Sequence, residues 1–192
     1  REIGDLTPQQ ERQLAKITLA AERMQRLIHV LLALARDKDV KAADNDIKYL
    51  PDIAREIQEE DEPEAHQKGI RLVIDDQSGT PPPRLSDSFA SCVLSNLVRN
   101  AVRNSTRGTI TITLEPTRFS VSDEGCGIPK DEMEKIFLPF TRGKLSHGQG
   151  HGIGLSLVSR ICTRMGWKIA VESEEGKGSL FTITFAEKKT PF

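Results

Sequence analysis

The sequence predicts an α+β fold: a two-layer α/β sandwich, in which a mixed, mostly antiparallel sheet carries three helices on one face, preceded by one long helix. Three observations predict it. Short runs of alternating apolar and polar residues, such as Thr109–Leu114 and Arg118–Ser122, have the period of half-buried strands. Three longer segments, Leu50–His66, Ser88–Asn104 and Gly152–Met165, read as helices with an apolar face. Helices gathered on one side of such a sheet make a two-layer domain.

The elements follow in order. Leu14, Ile17, Ala21, Met24, Ile28, Leu31 and Ala35 alternate three and four apart, so Pro8–Arg36 reads as one long helix with a heptad seam. Thr7 is its N-cap, Pro8 its first helical position, and Asp37 ends the pattern. One helix cannot bury its own stripe, and no second helix of matching pattern occurs in the chain. The seam therefore expects a partner upstream or on a second copy. The polar stretch 37–45 reads as a linker. Leu50–His66 sets Ile53, Ala54 and Ile57 on one side and an acidic run, Glu59, Glu60, Asp61, Glu62 and Glu64, near its end. Ile70–Ile74 is a strand and Ser78–Arg84 a loop; Thr109–Leu114 and Arg118–Ser122 pair as a hairpin. A glycine-rich, irregular region runs to Gly150, and after the third helix come strands Lys168–Ser173 and Leu180–Phe185. The chain thus divides into a helix (residues 1–37), a linker (38–45), a domain (46–187) and a tail (188–192).

Composition excludes several classes. With 192 residues, 37% of them hydrophobic and 29% charged, the chain can bury a core in water. A formal net charge of −1 argues against nucleic acid as a partner, which needs clustered Lys and Arg. The longest mainly apolar stretch, Leu27–Ala35, is too short to span a bilayer and contains His29, so no membrane contact is expected of this segment. Cys92, Cys126 and Cys162 form no disulfide framework and point to a reducing, cytoplasmic setting. Arg1 in place of Met, without a signal peptide, reads as a cut inside a longer protein.

Chemistry concentrates in four places. On the helix Ser88–Asn104 and just beyond it, Asn96, Arg99, Asn100, Arg103, Asn104 and Arg107 form one stripe opposite the apolar face of Val93, Leu94, Leu97, Val98 and Ala101. Amide oxygens ligate Mg²⁺ and guanidinium groups meet phosphate oxygens, so the stripe suits a metal–polyphosphate complex. Taken alone it fits a solvated helix face equally well. Asp123-Glu-Gly125-Cys-Gly127 follows a strand; the carboxylate can accept a hydrogen bond from an exocyclic amine, and the glycines let a flat base approach the backbone. An ordinary Asp- and Gly-rich turn has the same sequence. Gly148, Gly150, Gly152 and Gly154 alternate and open into a helix, where backbone amides make a phosphate site. No Lys-Ser/Thr follows them, unlike the phosphate-loop pattern. Between the glycine clusters, Phe137-x-Pro139-Phe140 and Thr141-Arg142-Gly143-Lys144 read as apolar anchors at the root of a basic lid. Gly176-x-Gly178 needs no more than a hairpin turn to explain it.

In this order and spacing the four elements resemble the catalytic and ATP-binding domain of bacterial sensor histidine kinases, within the superfamily that includes gyrase-, MutL- and heat-shock-chaperone-type ATPases. Asn96-Leu-Val-Arg-Asn100-Ala is similar to the asparagine box, Asp123-x-Gly125-x-Gly127 to the first glycine box, Phe137-x-Pro139-Phe140 to the phenylalanine box and Gly150-x-Gly152-x-Gly154-Leu155 to the second glycine box. Ser173-x-x-Gly176-x-Gly178 resembles the terminal signature. The resemblance covers about residues 46–186 and implies a Bergerat-type ATP-binding fold with ATP and Mg²⁺ as cofactors. It implies Asn100 as principal Mg²⁺ ligand with Asn96 beside it, Arg103 reaching the phosphates, and Asp123 on the adenine amine. Gly125, Gly127 and Ile128 would shape the base pocket, and Arg142 would meet the terminal phosphate next to Phe140. Gly150, His151, Gly152, Ile153, Gly154 and Leu155 would line the phosphate path. Asn104 stands where an aromatic residue or His is frequent, which puts in doubt any stacking from that position, and His151 replaces a small residue.

The heptad helix resembles the second helix of the family's dimerisation and phosphotransfer hairpin, which implies a homodimer and a response regulator receiver domain as partner. The parent protein would be anchored in the inner membrane upstream. None of the four histidines has the acid and basic-x-Pro sequence of a phosphoacceptor: His29 precedes Val30 and Leu31, His66 precedes Gln67, and His147 and His151 lie in the lid region. The resemblance therefore implies transfer of the ATP γ-phosphoryl to a histidine on the other hairpin helix. A clamp-type ATPase would want a catalytic Glu where Asn96 stands. A signalling module that binds nucleotide without kinase activity is the other alternative.

Overall fold

The computed structural model describes residues 46–139, 141 and 153–185, together with positions 7, 9–10, 13–14, 17–18, 21, 24 and 28 of the N-terminal segment. The chain forms two compact units, Arg1–Val40 and Lys41–Phe192.

In the first unit, the described positions from residue 9 onward are helical. Its start is a reciprocal capping box: the Gln10 N–H donates to Thr7 Oγ1 (3.3 Å) while the Thr7 N–H donates to Gln10 Oε1 (2.9 Å). Thr7 is the N-cap the sequence predicts, and Gln10 supplies the returning acceptor. Along the seam, Leu14, Ile17, Met24 and Ile28 are 51%, 64%, 63% and 49% exposed.

The second unit holds, among its described residues, strands β1 (Ile47–Tyr49), β2 (Ile70–Asp76), β3 (Arg84–Ser86), β4 (Gly108–Leu114), β5 (Arg118–Asp123), β6 (Lys168–Glu174) and β7 (Gly178–Thr184). Its helices are α1 (Leu50–Gln67), α2 (Asp87–Asn104) and α3 (Gly154–Met165). The main sheet runs β2-β4-β5-β7-β6, with β2–β4 parallel and the other pairs antiparallel. The fold class is the one the sequence predicts. Alternation explains the sheet: on β4, Ile110, Ile112 and Leu114 are fully buried while Thr109, Thr111 and Thr113 are half-buried on the other face. Phe119, Val121, Phe181 and Ile183 continue that apolar face on β5 and β7. Against it pack Ile53, Ala54 and Ile57 of α1, Val93, Leu94, Leu97, Val98 and Ala101 of α2, and Leu157, Val158 and Ile161 of α3.

Three differences from the sequence reading have local causes. The loop Ser78–Arg84 ends in a strand, because β3 pairs antiparallel with β1 (Ile47↔Ser86) in a separate two-stranded sheet; three-residue strands are too short to show an alternation. Helix α3 begins at Gly154, after Ile153, whose carbonyl accepts from the Leu157 N–H (3.0 Å). Strand β7 starts at Gly178 because Gly178 and Ser179 pair with Glu174 and Ser173 across a tight turn.

Candidate nucleotide site

The site is built on α2, whose N-terminus is held from outside the helix. Asp46, just before β1, accepts from the Ser88 N–H (3.2 Å) and the Ser88 hydroxyl (2.7 Å) through Oδ1, and from the Ser86 hydroxyl through Oδ2. This carboxylate satisfies a helix-end donor and complements the dipole. The apolar side of α2 fixes its rotation against the sheet, leaving Asn96, Asn100 and Asn104 half-buried and Arg103 and Arg107 exposed.

The stripe is not chemically uniform. Arg99 turns away from its neighbours toward α1, where Nε donates to Asp61 Oδ1 (3.2 Å) and NH2 lies 3.6 Å from Glu60 Oε2. Asp61 is 2% exposed. Arg99 is therefore part of an ion pair that joins α1 to α2, and it does not face a phosphate as its spacing on the stripe suggests. The Asn96 amide donates to the Cys92 carbonyl (2.7 Å), which turns Oδ1 outward. A Cβ on Gly154 would lie 2.8 Å from that Oδ1, so the first residue of α3 sits directly against Asn96. No side chain caps the α3 N-terminus among the described residues. The first N–H groups of α3, beside the Asn96 amide oxygen, form a pole suited to phosphate.

The glycine-rich loop that follows β5 begins at Asp123, which is 6% exposed. Asp123 Oδ1 accepts from the Gly125 N–H (2.9 Å), and the Ser179 backbone also donates to the carboxylate. Burial raises its carboxyl above the ordinary value of 3.8, and these two bonds oppose the shift. The loop then crosses the end of α2: the Cys126 N–H donates to the Asn104 carbonyl (3.1 Å), and a Cβ on Gly125 would overlap that same oxygen. Its far side rests on the β6–β7 turn. The Gly176 N–H donates to the Cys126 carbonyl (2.8 Å), and the Ile128 N–H to Ser173 Oγ (2.8 Å), which in turn donates to the Gly178 carbonyl (2.8 Å). Gly127 (φ 66°) and Gly178 (φ 101°) have left-handed backbones, and a Cβ on either would overlap backbone of the opposite segment. Gly178 is thus more than a turn residue: the Asp123 carbonyl passes where its side chain would be.

The structure brings together Asn96, Asn100 and Asn104 along α2, Asp123, Gly125, Gly127 and Ile128 in the loop at its C-terminal end, and Ile153, Gly154 and Leu155 at the start of α3. Arg103 is exposed on the last turn of α2. Phe140, Arg142, Gly150, His151 and Gly152 lie outside the described residues. Asp46, Ser173 and Gly178 were missed as site-shaping residues; only the resemblance of the terminal signature pointed toward the last two. Among the described residues no group of three or more His, Cys, Asp or Glu side chains could hold a metal. The donors on offer to a cation are amide oxygens, and a magnesium ion that keeps waters and takes phosphate oxygens fits such a sparse set.

A buried carboxylate beside a glycine-rich loop, an amide-lined helix face and the glycine that opens α3 lie on one side of α2, an arrangement suited to a nucleotide. Residues 86–189 match the family of histidine kinase-, DNA gyrase B- and HSP90-like ATPases, and the chain belongs to it, on its histidine kinase side. It is 31% identical over 191 residues to the aerobic respiration control sensor protein ArcB of Escherichia coli K12, covering 94% of this chain and 25% of ArcB. The chain thus spans about a quarter of that relative's length. The catalytic domain of the histidine kinase ThkA superposes with a TM-score of 0.64 at 30% identity, over 72% of this chain and 93% of that one. Full-length ShkA in complex with AMPPNP superposes with a TM-score of 0.65 at 26% identity, over 96% of this chain and 41% of ShkA.

Burial of the Asp123 carboxyl is expected to make the fold sensitive to pH. With its folded-state value raised, its contribution to stability is fully present below the unfolded value and lost as pH rises through the folded one. Once ionised, the buried charge opposes folding, so Asp123→Asn is expected to melt higher than the parent chain, with an advantage that grows as pH rises from the ordinary Asp value through the raised one. Thermal melts across that range check this; an effect that does not change with pH would contradict it.

Proposed function

We propose that this chain is the Mg–ATP-binding catalytic part of a sensor histidine kinase. It passes the γ-phosphoryl to a histidine on a hairpin helix, for relay to the receiver aspartate of a response regulator. The observation that supports this reading most directly is the convergence of the Asn96–Asn100 face, the uncapped α3 start and the buried Asp123 carboxylate on one side of α2. In this reading residues 1–37 are the second helix of the dimerisation hairpin, 38–45 its linker, 46–187 the catalytic domain and 188–192 a tail. The exposed seam of Leu14, Ile17, Met24 and Ile28 is where hairpin helices pair, within a homodimer. No described helix is long and apolar enough to cross a membrane. The parent protein would carry its anchor elsewhere and hold this part in the cytoplasm.

Phosphoryl transfer asks little covalent chemistry of the protein, and positioning with charge neutralisation supplies the rate. Asp123 accepts the exocyclic amine of adenine, while Gly125, Gly127 and Ile128 form the wall of the base slot. Asn100 and Asn96 would hold Mg²⁺, which neutralises phosphate charge when bound. The α3 amides from Gly154 onward, with Arg103 and Arg142, steady the phosphates as charge moves toward the bridging oxygen. By the resemblance, His151 and Phe140 would belong to the same site. With Asn96 where a clamp-type ATPase would want a carboxylate, and its amide already given to Cys92, no general base for water is present at that position.

Inosine triphosphate, which lacks the exocyclic amine, tests the base assignment. The parent chain is expected to bind ATP about 10–100-fold more tightly than ITP, since a hydrogen bond to a charged acceptor is at stake, and Asp123→Asn to lose that preference. Undiminished discrimination in the variant would remove Asp123 from the site. In the full-length protein, acid-labile phosphohistidine formed from γ-labelled ATP and abolished by Asn100→Ala is the expected result. Hydrolysis to free phosphate without phosphohistidine would instead mark a clamp-type ATPase.

A further inference from the structure

The last residue of α2 has two bonding roles that neither its position nor its family pattern suggests. The Asn104 side chain folds back one turn: Nδ2 donates to the Asn100 carbonyl (2.9 Å) and to the Asn100 side-chain oxygen Oδ1 (3.1 Å). Its own backbone carbonyl accepts from the Cys126 N–H (3.1 Å), and the Gly125 backbone packs close against that carbonyl, so that a Cβ there would overlap it. Asn104 is therefore anchored by the base-side loop while its amide grips the amide of Asn100.

An asparagine at a cation site has an ambiguity that a carboxylate lacks. Its terminal torsion is broad and roughly two-fold, so the same side chain can present an oxygen or an NH₂. Only the oxygen ligates a cation. A donor against Oδ1 settles which face is which: it occupies one of the two lone pairs and leaves the other for a ligand. We infer that Asn104 is a positioning residue that selects the oxygen-out orientation of Asn100, and so sets the affinity of the nucleotide site for its divalent cation. It also ties that orientation to the seating of the loop that bears Asp123. The inference rests on the assignment of Asn100 as cation ligand.

The test separates metal from nucleotide. Binding of a fluorescent ADP analogue is measured on the whole chain, first in EDTA and then along a Mg²⁺ titration, with melting temperature recorded for each variant. Asn104→Leu keeps the size and removes the donor; it is expected to leave affinity in EDTA unchanged and to move the Mg²⁺ midpoint up by about tenfold or more, the range typical of groups that orient a metal ligand. Asn104→Ala is expected to shift the midpoint the same way. Asn104→Gln, which can still donate to an amide one turn back, is expected to restore it. An unchanged midpoint in both Leu and Ala variants overturns the inference, as does an equal loss with and without Mg²⁺, which is what a merely structural residue would give. Asn100→Ala distinguishes the two levels. If it leaves Mg²⁺ dependence intact, the metal assignment itself fails; if it removes that dependence while Asn104→Leu does not, only the positioning role fails.

Discussion

Arg99→Met is expected to cost about 3–5 kcal/mol of folding free energy, because it leaves Asp61 inside the protein without its guanidinium. Asp61 is 2% exposed and the Arg99 side chain 23%, so the pair is screened far less than an ion pair on the surface. Domains of this size are stable by about 5–15 kcal/mol, and a loss of that magnitude puts the variant near the edge of folding at 37 °C. Denaturant unfolding measures it. The double replacement Arg99→Met with Asp61→Leu removes both charges and is expected to recover most of the loss, since an apolar pair of similar volume is often neutral or better. A single variant that unfolds at the same denaturant concentration as the parent chain would show the pair to be inert. Nucleotide affinity of the folded double variant is expected to stay at the parent level, because Arg99 faces α1 and not the site.

The second large effect concerns Gly178→Val. Its φ of 101° belongs to a region that side chains avoid, a cost of about 1–3 kcal/mol by itself. The overlap of the new Cβ with the Asp123 carbonyl comes on top of that and must be relieved by moving β5, β7 or both. The expected outcome is loss of nucleotide binding even where the chain remains folded, because Asp123 is the residue pushed. Gly176→Ala in the same turn is the control. Gly176 also has a positive φ (79°), but a Cβ there meets nothing within 4 Å. It is expected to lose a little stability and no affinity. Equal effects of the two substitutions on binding would mean that turn strain alone, and not contact with Asp123, explains Gly178.

These two cases show where sequence reading ends. The alternation of Thr and Ile on β4, the apolar face of α2 and the glycine pattern before α3 are local signals, and they specify elements and boundaries to within two residues or so. Arg99 and Arg103 are one helical turn apart on the same stripe and look alike in sequence. What separates them is Asp61, on another helix 38 residues upstream, and only packing reveals that. Asp46 likewise reads only as the first residue after a polar linker until Ser86 and Ser88 are brought to it by the β1–β3 pairing. The expectation for Asp123 and Asn100 comes from a resemblance over several motifs that carries them together. Gly178 was legible only as a turn, since its close neighbour lies 55 residues earlier in the chain.

That long reach has a consequence for the order in which the molecule comes into being. The loop that holds Asp123 is finished by hydrogen bonds from Gly176 to Cys126 and from Ile128 to Ser173. Its far wall therefore belongs to the last hairpin of the domain. During synthesis the amide face of α2 emerges early and can fold with the strands beside it. The Asp123 loop cannot be completed until β6 and β7 have left the ribosome and docked. On the proposed base assignment, a chain that ends before residue 178 is expected to lose ATP binding, however well its first strands and helices have formed.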